Sequence, residues 1–221
     1  MNNKNILRYY GYHWECPDDN PHAERFYIIA QLAGENLSSY LKKNRDISQD
    51  RITEIAYKVA KGMAYLHKYN IAHRDLKPDN IFIATSLPSN EIDIQIGDFG
   101  IACSTGSPMQ TLVCGTLAYM APEHLLTKQV ATDDLLLKAD VFSYGCLLFE
   151  LITGSPPFKD LPMGAIAASI MDAQRKGNPF PLEVPSYPVL LSKIIASCWD
   201  WKPARRPSFD QIVQNFKFSK F

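Results

Sequence analysis

The sequence predicts an α+β fold in which strands come first and helices dominate afterwards. Short apolar segments rich in β-branched and aromatic residues occupy residues 6–10 and 25–30. Two more strand-like segments, 80–83 and 92–96, flank a turn at 88–90. Apolar residues at helical spacing make up most of the remaining chain. Strands followed by runs of helices are typical of the α+β class.

The individual elements follow from local patterns. A polar, proline-bearing connection over residues 15–24 separates the first two predicted strands. A short helix is predicted over 37–43, and Ser48 is predicted to cap a longer helix with an apolar face from Ile52 to Leu66.

The second half of the chain reads as helical. The segment 140–153 is apolar nearly all round, which predicts a helix buried on every side, and Gly154 is predicted to end it. Two further helices are predicted over 190–198 and 209–216, with Pro207 in the first turn of the last one.

The composition is that of an ordinary globular protein without a global charge signal. The 221 residues are 46% hydrophobic, which is ample for a core, and 23 basic residues balance 23 acidic ones. This balance argues against nucleic acid or an anionic membrane as a partner. The chain has no apolar signal region and no apolar run long enough to cross a bilayer, so we expect a soluble, cytoplasmic protein.

The cysteines do not suggest a disulfide framework. There are five of them, and none forms a Cys-x-x-Cys pair. His13 and Cys16 are similar to half of a metal site, but no second pair accompanies them. We therefore expect free thiols.

Two motifs carry chemistry. Residues 73–80 read His-Arg-Asp-Leu-Lys-Pro-Asp-Asn, and residues 98–100, which read Asp-Phe-Gly, begin eighteen positions after Asn80. Asn80 and Asp98 therefore stand at the two ends of the predicted hairpin. Phosphoryl transfer requires an aligned acceptor hydroxyl and neutralised phosphoryl oxygens, and these residue types supply both. The alternative is a polar loop without catalysis.

With three further motifs in the same order, the chain resembles a eukaryotic-type protein kinase from its first residues to its last. Ala-Pro-Glu at 121–123 is similar to the end of the activation segment. Asp-Val-Phe-Ser-Tyr-Gly at 140–145 is similar to the start of the central helix, and Arg-Pro at 206–207 to the closing arginine motif. The resemblance implies a helical C-lobe with a partial N-lobe β-sheet.

Finer features resemble particular kinase groups. Lys77 and Gly-Thr at 115–116 resemble serine/threonine-specific kinases, while Cys-Trp at 198–199 and Arg-Pro-Ser-Phe at 206–209 resemble the tyrosine-kinase-like group. The resemblance implies phosphorylation of serine and threonine on protein substrates in intracellular signalling, with ATP and Mg²⁺ as cofactors. A small-molecule kinase is disfavoured because Lys77 and residues 121–123 resemble protein-substrate machinery.

The resemblance assigns the catalytic and metal-binding roles residue by residue. Asp75 would orient the substrate hydroxyl and accept its proton late; the alternative is a solvated loop carboxylate. Lys77 would place a charge on the transferred phosphate. Asn80 and Asp98 would hold Mg²⁺ through hard oxygen ligands.

The resemblance also assigns the contacts to the nucleotide. The adenine would lie against a hinge that includes Gln31 and Ala33, with Ala30 as a small residue at the rear pocket and Phe82 beneath the ring. Lys77 completes the expected ATP contacts.

Other matching residues are expected to act structurally. His73 and Phe99 would pack in the spine of the domain rather than touch substrate. Glu123 and Arg206 would form a buried bidentate ion pair, for which the alternative is two surface charges worth little. Asp140 is expected to be structural at the start of the central helix.

Regulation is expected at the activation segment. Arg74, next to the catalytic carboxylate, resembles kinases in which a phosphate on that segment pairs with this arginine. Thr111 is the first candidate for phosphorylation, followed by Ser104, Thr105 and Ser107. Thr116 would instead bridge Asp75 and Lys77.

Some parts of a complete kinase domain are absent from these 221 residues. They contain no Gly-x-Gly-x-x-Gly loop, and the strand lysine and helix glutamate have no counterpart. We expect a kinase domain over 1–221 that is truncated at its N-terminus, with residual N-lobe strands at 1–30, a hinge at 31–36 and the C-lobe at 37–221.

Residues 1–6 overlay the family pattern Leu-x-His-x-Asn-Ile, which favours a truncated gene model, clone or fragment. The alternative is a protein that natively lacks the region, a pseudokinase that acts as a binding or regulatory module. We predict negligible kinase activity for these residues alone, because each missing electrostatic clamp is worth roughly 10²-fold or more in rate.

Overall fold

Short strands come first and helices dominate afterwards, in the α+β order that the sequence predicts. The structure, a computed structural model, describes residues 3–15, 24–86, 91–100, 102–104, 116–126, 132–186 and 188–218. Its strands are β1 (Tyr9–Glu15), β2 (Arg25–Ala30), β3 (Glu35–Asn36), β4 (Ile71–Ala72), β5 (Ile81–Ser86), β6 (Glu91–Ile96) and β7 (Cys103–Ser104). Its helices are α1 (Leu37–Lys43), α2 (Gln49–Lys68), α3 (Pro122–Leu126), α4 (Asp133–Thr153), α5 (Met163–Lys176), α6 (Val189–Cys198) and α7 (Phe209–Phe218).

The first strand pair, β1 and β2, is antiparallel and begins later than predicted. The predicted start at Ile6 was wrong, because Ile6 forms a parallel bridge with Ile96 of β6 and the Leu7 amide donates to the Ile96 carbonyl at 2.8 Å. Ile6 and Leu7 are buried there. Burial against β6 therefore separates these residues from the exposed β1–β2 ribbon.

The predicted helices around residue 48 are confirmed. The Ser48 hydroxyl accepts a hydrogen bond from the Arg51 amide at 3.3 Å and so caps α2. The buried face of α2 includes Ile55, Val59 and Met63 and packs against β6 and α7. This packing delivers the chain to β4 and to the loop at 73–80.

Helix α4 runs through the core, as its apolar pattern predicts, but it begins at Asp133 rather than at 140. Thr132 caps it by accepting a hydrogen bond from the Leu135 amide at 3.4 Å. Its first two turns are partly exposed and carry charged residues, which hides them from a search for an apolar pattern. Gly154 ends the helix in the left-handed conformation (φ 66°).

The last helix starts two residues after Pro207, so the predicted position of this proline in the first turn was wrong. Ser208 is the cap: its hydroxyl accepts from the Gln211 amide at 3.3 Å, and its own amide donates to the Gln211 side chain at 2.8 Å. This reciprocal pair is a capping box.

Helix α5 was not predicted. Its buried residues are Ile166, Ile170 and Ala173, and the other side of the helix is largely exposed. Three buried positions among alanines give a weak periodic signal. The helix packs against α3 and against residues 117–119, and such tertiary packing stabilises a helix with a weak local signal.

Within the described ranges, Cys146 and Cys198 are buried and Cys103 half-buried, all as free thiols; Cys16 and Cys114 lie outside those ranges. No helix in the described part of the chain is long and apolar enough to cross a bilayer.

Candidate active site

The loop at 73–80 is fixed to the core by the carboxylate of Asp140 in α4. Its Oδ2 accepts a hydrogen bond from the His73 amide at 2.8 Å, and its Oδ1 accepts one from the Arg74 amide at 2.8 Å. Arg74 has φ 71°, a conformation that is costly for a residue with a side chain. The two hydrogen bonds to Asp140 hold this strained start of the loop in place.

The ionised form of Asp140 is favoured despite its burial. Burial raises the pKa of Asp140, but the hydrogen bond and charge of His67, the charge of His73 and the Arg74 amide together outweigh it, so the pKa lies below its usual value. His67 Nε2 lies 2.9 Å from Asp140 Oδ2.

His73 and Phe99 pack together in the interior. His73 is fully buried, its Nε2 lies 3.0 Å from the Gly97 carbonyl, and its ring centroid lies 5.2 Å from that of Phe99. Tyr9 of β1 also contacts Phe99 edge-on, with ring centroids 5.5 Å apart. The two rings therefore connect the strand pair to the loop at 73–80.

Asp75, Lys77 and Thr116 form one hydrogen-bonded cluster. Lys77 Nζ lies 2.7 Å from Asp75 Oδ2 and 2.6 Å from Thr116 Oγ1. The hydroxyl and the amide of Thr116 both donate to Asp75 Oδ1 at 3.0 Å. Asn80 Nδ2 donates to the Asp75 carbonyl at 2.8 Å and to its Oδ2 at 3.1 Å.

These donors make Asp75 a weak base. Partial burial raises the pKa of Asp75, but the hydrogen bonds from Lys77, Thr116 and Asn80 and the charge of Lys77 outweigh it, so the pKa lies below its usual value. Asp75 is therefore ionised at neutral pH and accepts hydrogen bonds, while its affinity for a proton is low.

The backbone brings Asn80 and Asp98 to the open end of the β5–β6 hairpin. Ile81 pairs with Ile96, and the Gly97 amide donates to the Asn80 carbonyl at 2.9 Å, which places the residue before Asp98 beside Asn80. Asp98 is exposed with φ 57°, and its amide donates to the Tyr9 hydroxyl oxygen at 3.1 Å.

The side chains of Asn80 and Asp98 fit a hard cation. Because Asn80 Nδ2 donates to Asp75, the remaining polar atom of this side chain is the carbonyl oxygen Oδ1. An amide oxygen and an exposed carboxylate are ligands that Mg²⁺ prefers. Among the described residues, no group of three or more His, Cys, Asp or Glu side chains could hold a metal ion.

The expected hinge connects β2 to the hairpin. The Gln31 amide donates to the Arg8 carbonyl at 2.7 Å, and Gln95 Nε2 lies 3.4 Å from Gln31 Oε1. Ala30 and Ala33 are half-buried. Phe82 packs so closely on Gly97 that a Cβ there would lie 2.7 Å from its ring, so glycine at 97 lets the ring pack against the backbone.

The ion pair between Glu123 and Arg206 is present, buried and bidentate. Arg206 Nη1 lies 2.6 Å from Glu123 Oε1, and Nη2 lies 2.7 Å from Oε2. Arg206 Nε also donates to the Asp200 carbonyl at 2.9 Å, and Nη1 donates to the Lys138 carbonyl at 3.0 Å. The guanidinium thus joins the end of the activation segment to the segment between α6 and α7.

The candidate phosphorylation sites Thr111, Thr105 and Ser107 lie outside the described residues, and only the backbone of Ser104 is described. Sequence reasoning missed the contact of His67 with Asp140, which holds the amides of the loop, and the contact from Ser143 Oγ to the Tyr119 carbonyl at 2.8 Å, which joins α4 to the residues after Thr116. No spacing rule links either pair, because the partners are far apart in the chain.

Comparison with known proteins identifies the family. The protein kinase domain model matches residues 1–217. Aurora kinase of Schizosaccharomyces pombe is 29% identical over 217 residues, which cover 97% of this chain and 55% of the relative. RGS domain-containing serine/threonine-protein kinase A of Dictyostelium discoideum is 34% identical over 189 residues, 85% of this chain and 16% of the relative.

Inactive serine/threonine-protein kinase PLK5 of Mus musculus is 29% identical over 197 residues, 88% of this chain and 30% of the relative. The chain thus spans 16% to 55% of the length of these three curated relatives. Because the family model matches residues 1–217, the chain belongs to the protein kinase family.

Proposed function

We propose that this chain carries the phosphoryl-transfer and metal-binding half of a protein serine/threonine kinase that acts in intracellular signalling. The observation that carries the proposal is the cluster of Asp75, Lys77 and Thr116, in which one lysine ammonium bridges the carboxylate and the hydroxyl. The serine/threonine kinases among the relatives support the choice of acceptor.

In this proposal Asp75 aligns the substrate hydroxyl. Its lowered pKa makes it a poor base, so orientation is the larger part of its contribution and proton acceptance comes late. Lys77 sits beside this carboxylate and would contact the transferred phosphate as a point charge.

Asn80 and Asp98 would hold Mg²⁺, and Ala30, Gln31, Ala33 and Phe82 would contact the adenine of ATP. When bound, Mg²⁺ neutralises charge on the phosphate oxygens. The hydrogen bond from Asn80 Nδ2 to Asp75 couples the proposed metal ligand to the residue that aligns the substrate.

We assign residues 1–30 to the N-lobe, 31–36 to the hinge and 37–221 to the C-lobe. The division is supported by the β1–β2 ribbon before the hinge and by the helices that follow it. Within the C-lobe, Arg74 and Thr111 are the proposed regulatory pair, in which a phosphate on Thr111 would bind the guanidinium.

The test measures transfer of labelled phosphate from Mg²⁺-ATP to a general protein substrate. It compares the 221-residue chain with a longer protein that also includes any in-frame coding sequence upstream of Met1. We expect negligible transfer by the former and transfer by the latter that is abolished by Asp75→Asn. The matched control is Asp172→Asn on the exposed face of α5, which should leave transfer unchanged. Robust transfer by the 221 residues would refute the predicted inactivity, and transfer unaffected by Asp75→Asn would refute the assigned role.

The second candidate is a pseudokinase that acts as a binding or regulatory module. One observation favours it: Inactive serine/threonine-protein kinase PLK5 is among the relatives. Titration of the longer protein with Mg²⁺-ATP separates the two, because a module without nucleotide binding would show no saturable change in protein fluorescence.

A further inference from the structure

We propose that the hydroxyl group of Tyr9, in β1, positions Asp98, one of the two proposed Mg²⁺ ligands. The proposal rests on the kinase function proposed above and adds a residue that acts through the backbone of Asp98 rather than on substrate or metal. It concerns the phenol oxygen, as distinct from the packing of the tyrosine ring on Phe99. The two residues lie 89 positions apart, so no motif spacing links them.

The first step of the argument is the backbone of Asp98. Its φ of 57° lies in the left-handed region, which costs free energy for a residue with a side chain. On the side that precedes it, the Gly97 amide is held by the Asn80 carbonyl at 2.9 Å. The Asp98 amide itself donates to the Tyr9 hydroxyl oxygen at 3.1 Å. Tyr9 thus supplies, from outside the loop, an acceptor for the amide of the strained residue.

The second step is the attachment of Tyr9 to the rest of the fold. The Leu7 amide donates to the Ile96 carbonyl at 2.8 Å, and Tyr9 itself pairs with Ala30 of β2. The segment that carries Tyr9 is therefore joined to β6, which ends two residues before Asp98. The hydroxyl and the amide that it accepts from are held by the same strand.

The third step is a β-bulge that sets the direction of the tyrosine. Tyr9 and Gly11 pair with adjacent residues of β2, so Tyr10 between them is the extra residue of the bulge. Bulges bend a strand and redirect its side chains, often next to active sites. Tyr10 is 61% exposed, whereas Tyr9 is half-buried with its ring against Phe99. The bulge thus separates a solvent-facing tyrosine from one that faces the loop.

The fourth step is the chemistry of the hydroxyl. Partial burial raises the pKa of Tyr9 and outweighs the amides of Asp98 and Phe99, which lower it, so the hydroxyl is neutral at neutral pH. A neutral phenol oxygen can accept a hydrogen bond from an amide. It does so without placing a second negative charge beside the carboxylate that is proposed to bind Mg²⁺. An apolar side chain at this position could fill the space but could not accept the hydrogen bond.

The experiment compares three variants of the 221-residue chain by NMR. Tyr9→Phe keeps the ring and removes only the oxygen, and Tyr9→Leu removes both. The matched control is Tyr12→Phe, the same chemical change in the same strand, at a residue that is 72% exposed with its ring stacked on Phe26.

Two quantities are measured at Asp98. The first is the hydrogen-exchange rate of its amide. The second is the NOE between that amide proton and the Hα of the same residue, which is strong when φ is positive. The amides of Val59 and Met63, in the buried face of α2, report global opening.

We expect exchange of the Asp98 amide to rise about fivefold in Tyr9→Phe, as the loss of one neutral hydrogen bond predicts. The NOE within Asp98 should weaken, because the residue relaxes towards ordinary backbone angles. The Tyr9→Leu variant should show at least as large an effect. The Tyr12→Phe variant should match the parent in both quantities, and Val59 and Met63 should change less than Asp98 in every variant.

Three results would overturn the proposal. Unchanged exchange and NOE at Asp98 in Tyr9→Phe would leave Tyr9 with ring packing alone. An equal change in Tyr12→Phe would deny that the contact is specific, and an equal rise at Val59 and Met63 would reduce the effect to global stability.

Exchange needs no catalysis, so these results stand apart from the proposed kinase function. In an active longer protein, Tyr9→Phe should raise the Mg²⁺ concentration required for half-maximal transfer and leave the KM for the protein substrate unchanged. An unchanged Mg²⁺ requirement would refute the link between the hydroxyl and the metal site.

Discussion

Arg206 and Glu123 lie 83 positions apart in the sequence, and the guanidinium binds both carboxylate oxygens, at 2.6 and 2.7 Å. The arginine side chain is 0% exposed and the glutamate 10%. Arg206 also lies over the ring of Phe142 in α4, at 5.1 Å. One side chain therefore ties the activation-segment end, the central helix and the start of α7 together.

Replacing Glu123 by Ala should lower the free energy of unfolding by about 3 to 5 kcal/mol, because it leaves a buried guanidinium without its counter-charge. Urea denaturation measures this. The matched control is Arg175→Ala, which breaks an exposed pair with Asp172 and should cause no measurable change. The double variant Glu123→Leu, Arg206→Met should lose less stability than Glu123→Ala; a greater loss would contradict the argument.

Gly145 in α4 should not tolerate a side chain. A Cβ there would lie 2.8 Å from Trp199 Nε1 and 2.9 Å from Cys198 Cβ, at the contact between α4 and α6. In Gly145→Ala, overpacking should lower the unfolding free energy by about 1 to 3 kcal/mol. The higher helix propensity of alanine offsets about 1 kcal/mol of this loss, so the net effect should be a loss of stability.

Gly164 in α5 is the control for this substitution, because a Cβ there would meet nothing within 4 Å. Gly164→Ala should raise the thermal midpoint slightly or leave it unchanged. A midpoint for Gly145→Ala equal to that of Gly164→Ala would show that the two helices are less closely packed than the structure indicates.

The cap of α2 should be measurable on its own. Ser48→Ala removes the acceptor of the Arg51 amide and should lower the unfolding free energy by about 1 kcal/mol. Ser48→Asn restores an acceptor and should recover most of this loss. Equal urea midpoints for the alanine and asparagine variants would show that the cap makes no contribution.

Glu150 should make stability fall as the pH rises. Burial raises the pKa of Glu150 above its ordinary value of 4.5 and Asp79 adds to this, against the Tyr119 hydroxyl and Lys42. The folded protein thus keeps a proton on Glu150 that the unfolded chain releases. The contribution of Glu150 to stability is therefore greatest below pH 4.5 and declines as the pH rises through the pKa of Glu150 in the folded protein.

Glu150→Gln removes this titration and can still accept the hydrogen bond from Tyr119. The free energy of unfolding of the variant minus that of the parent should rise from pH 4.5 upwards and then level off. Tyr119→Phe, which removes a contact that lowers the pKa, should extend the decline of the parent to higher pH. A pH-independent difference for Glu150→Gln would refute the shift.

The helices α1, α2, α6 and the apolar part of α4 were predictable because their signals are local. Ser48 begins α2 and Gly154 ends α4 through contacts within a few residues, and the all-round apolar pattern of α4 identifies a core helix without knowledge of its partners. Where the prediction failed, as for α5 and for the first turns of α4, helical residues were exposed or small and the apolar pattern was weak.

In the candidate site, too, the local contacts were predictable and the long-range contacts were not. The cluster at 73–80 is local enough for motif spacing to identify Asp75, Lys77 and Asn80 as neighbours. Thr116, 41 positions from Asp75, was assigned through the resemblance, and nothing in its spacing indicates the contact.

The sequence by itself determined the α+β order, the helix ends at Ser48 and Gly154, the kinase motifs and the residue types available for phosphoryl transfer, because each depends on short-range spacing. Only the tertiary structure decided that Ile6 and Leu7 join β6, that Asp140 holds the loop amides and that His67 supports Asp140. These contacts join residues 66 to 90 positions apart, and they depend on how α2, α4 and β6 pack against one another, which no local periodicity encodes.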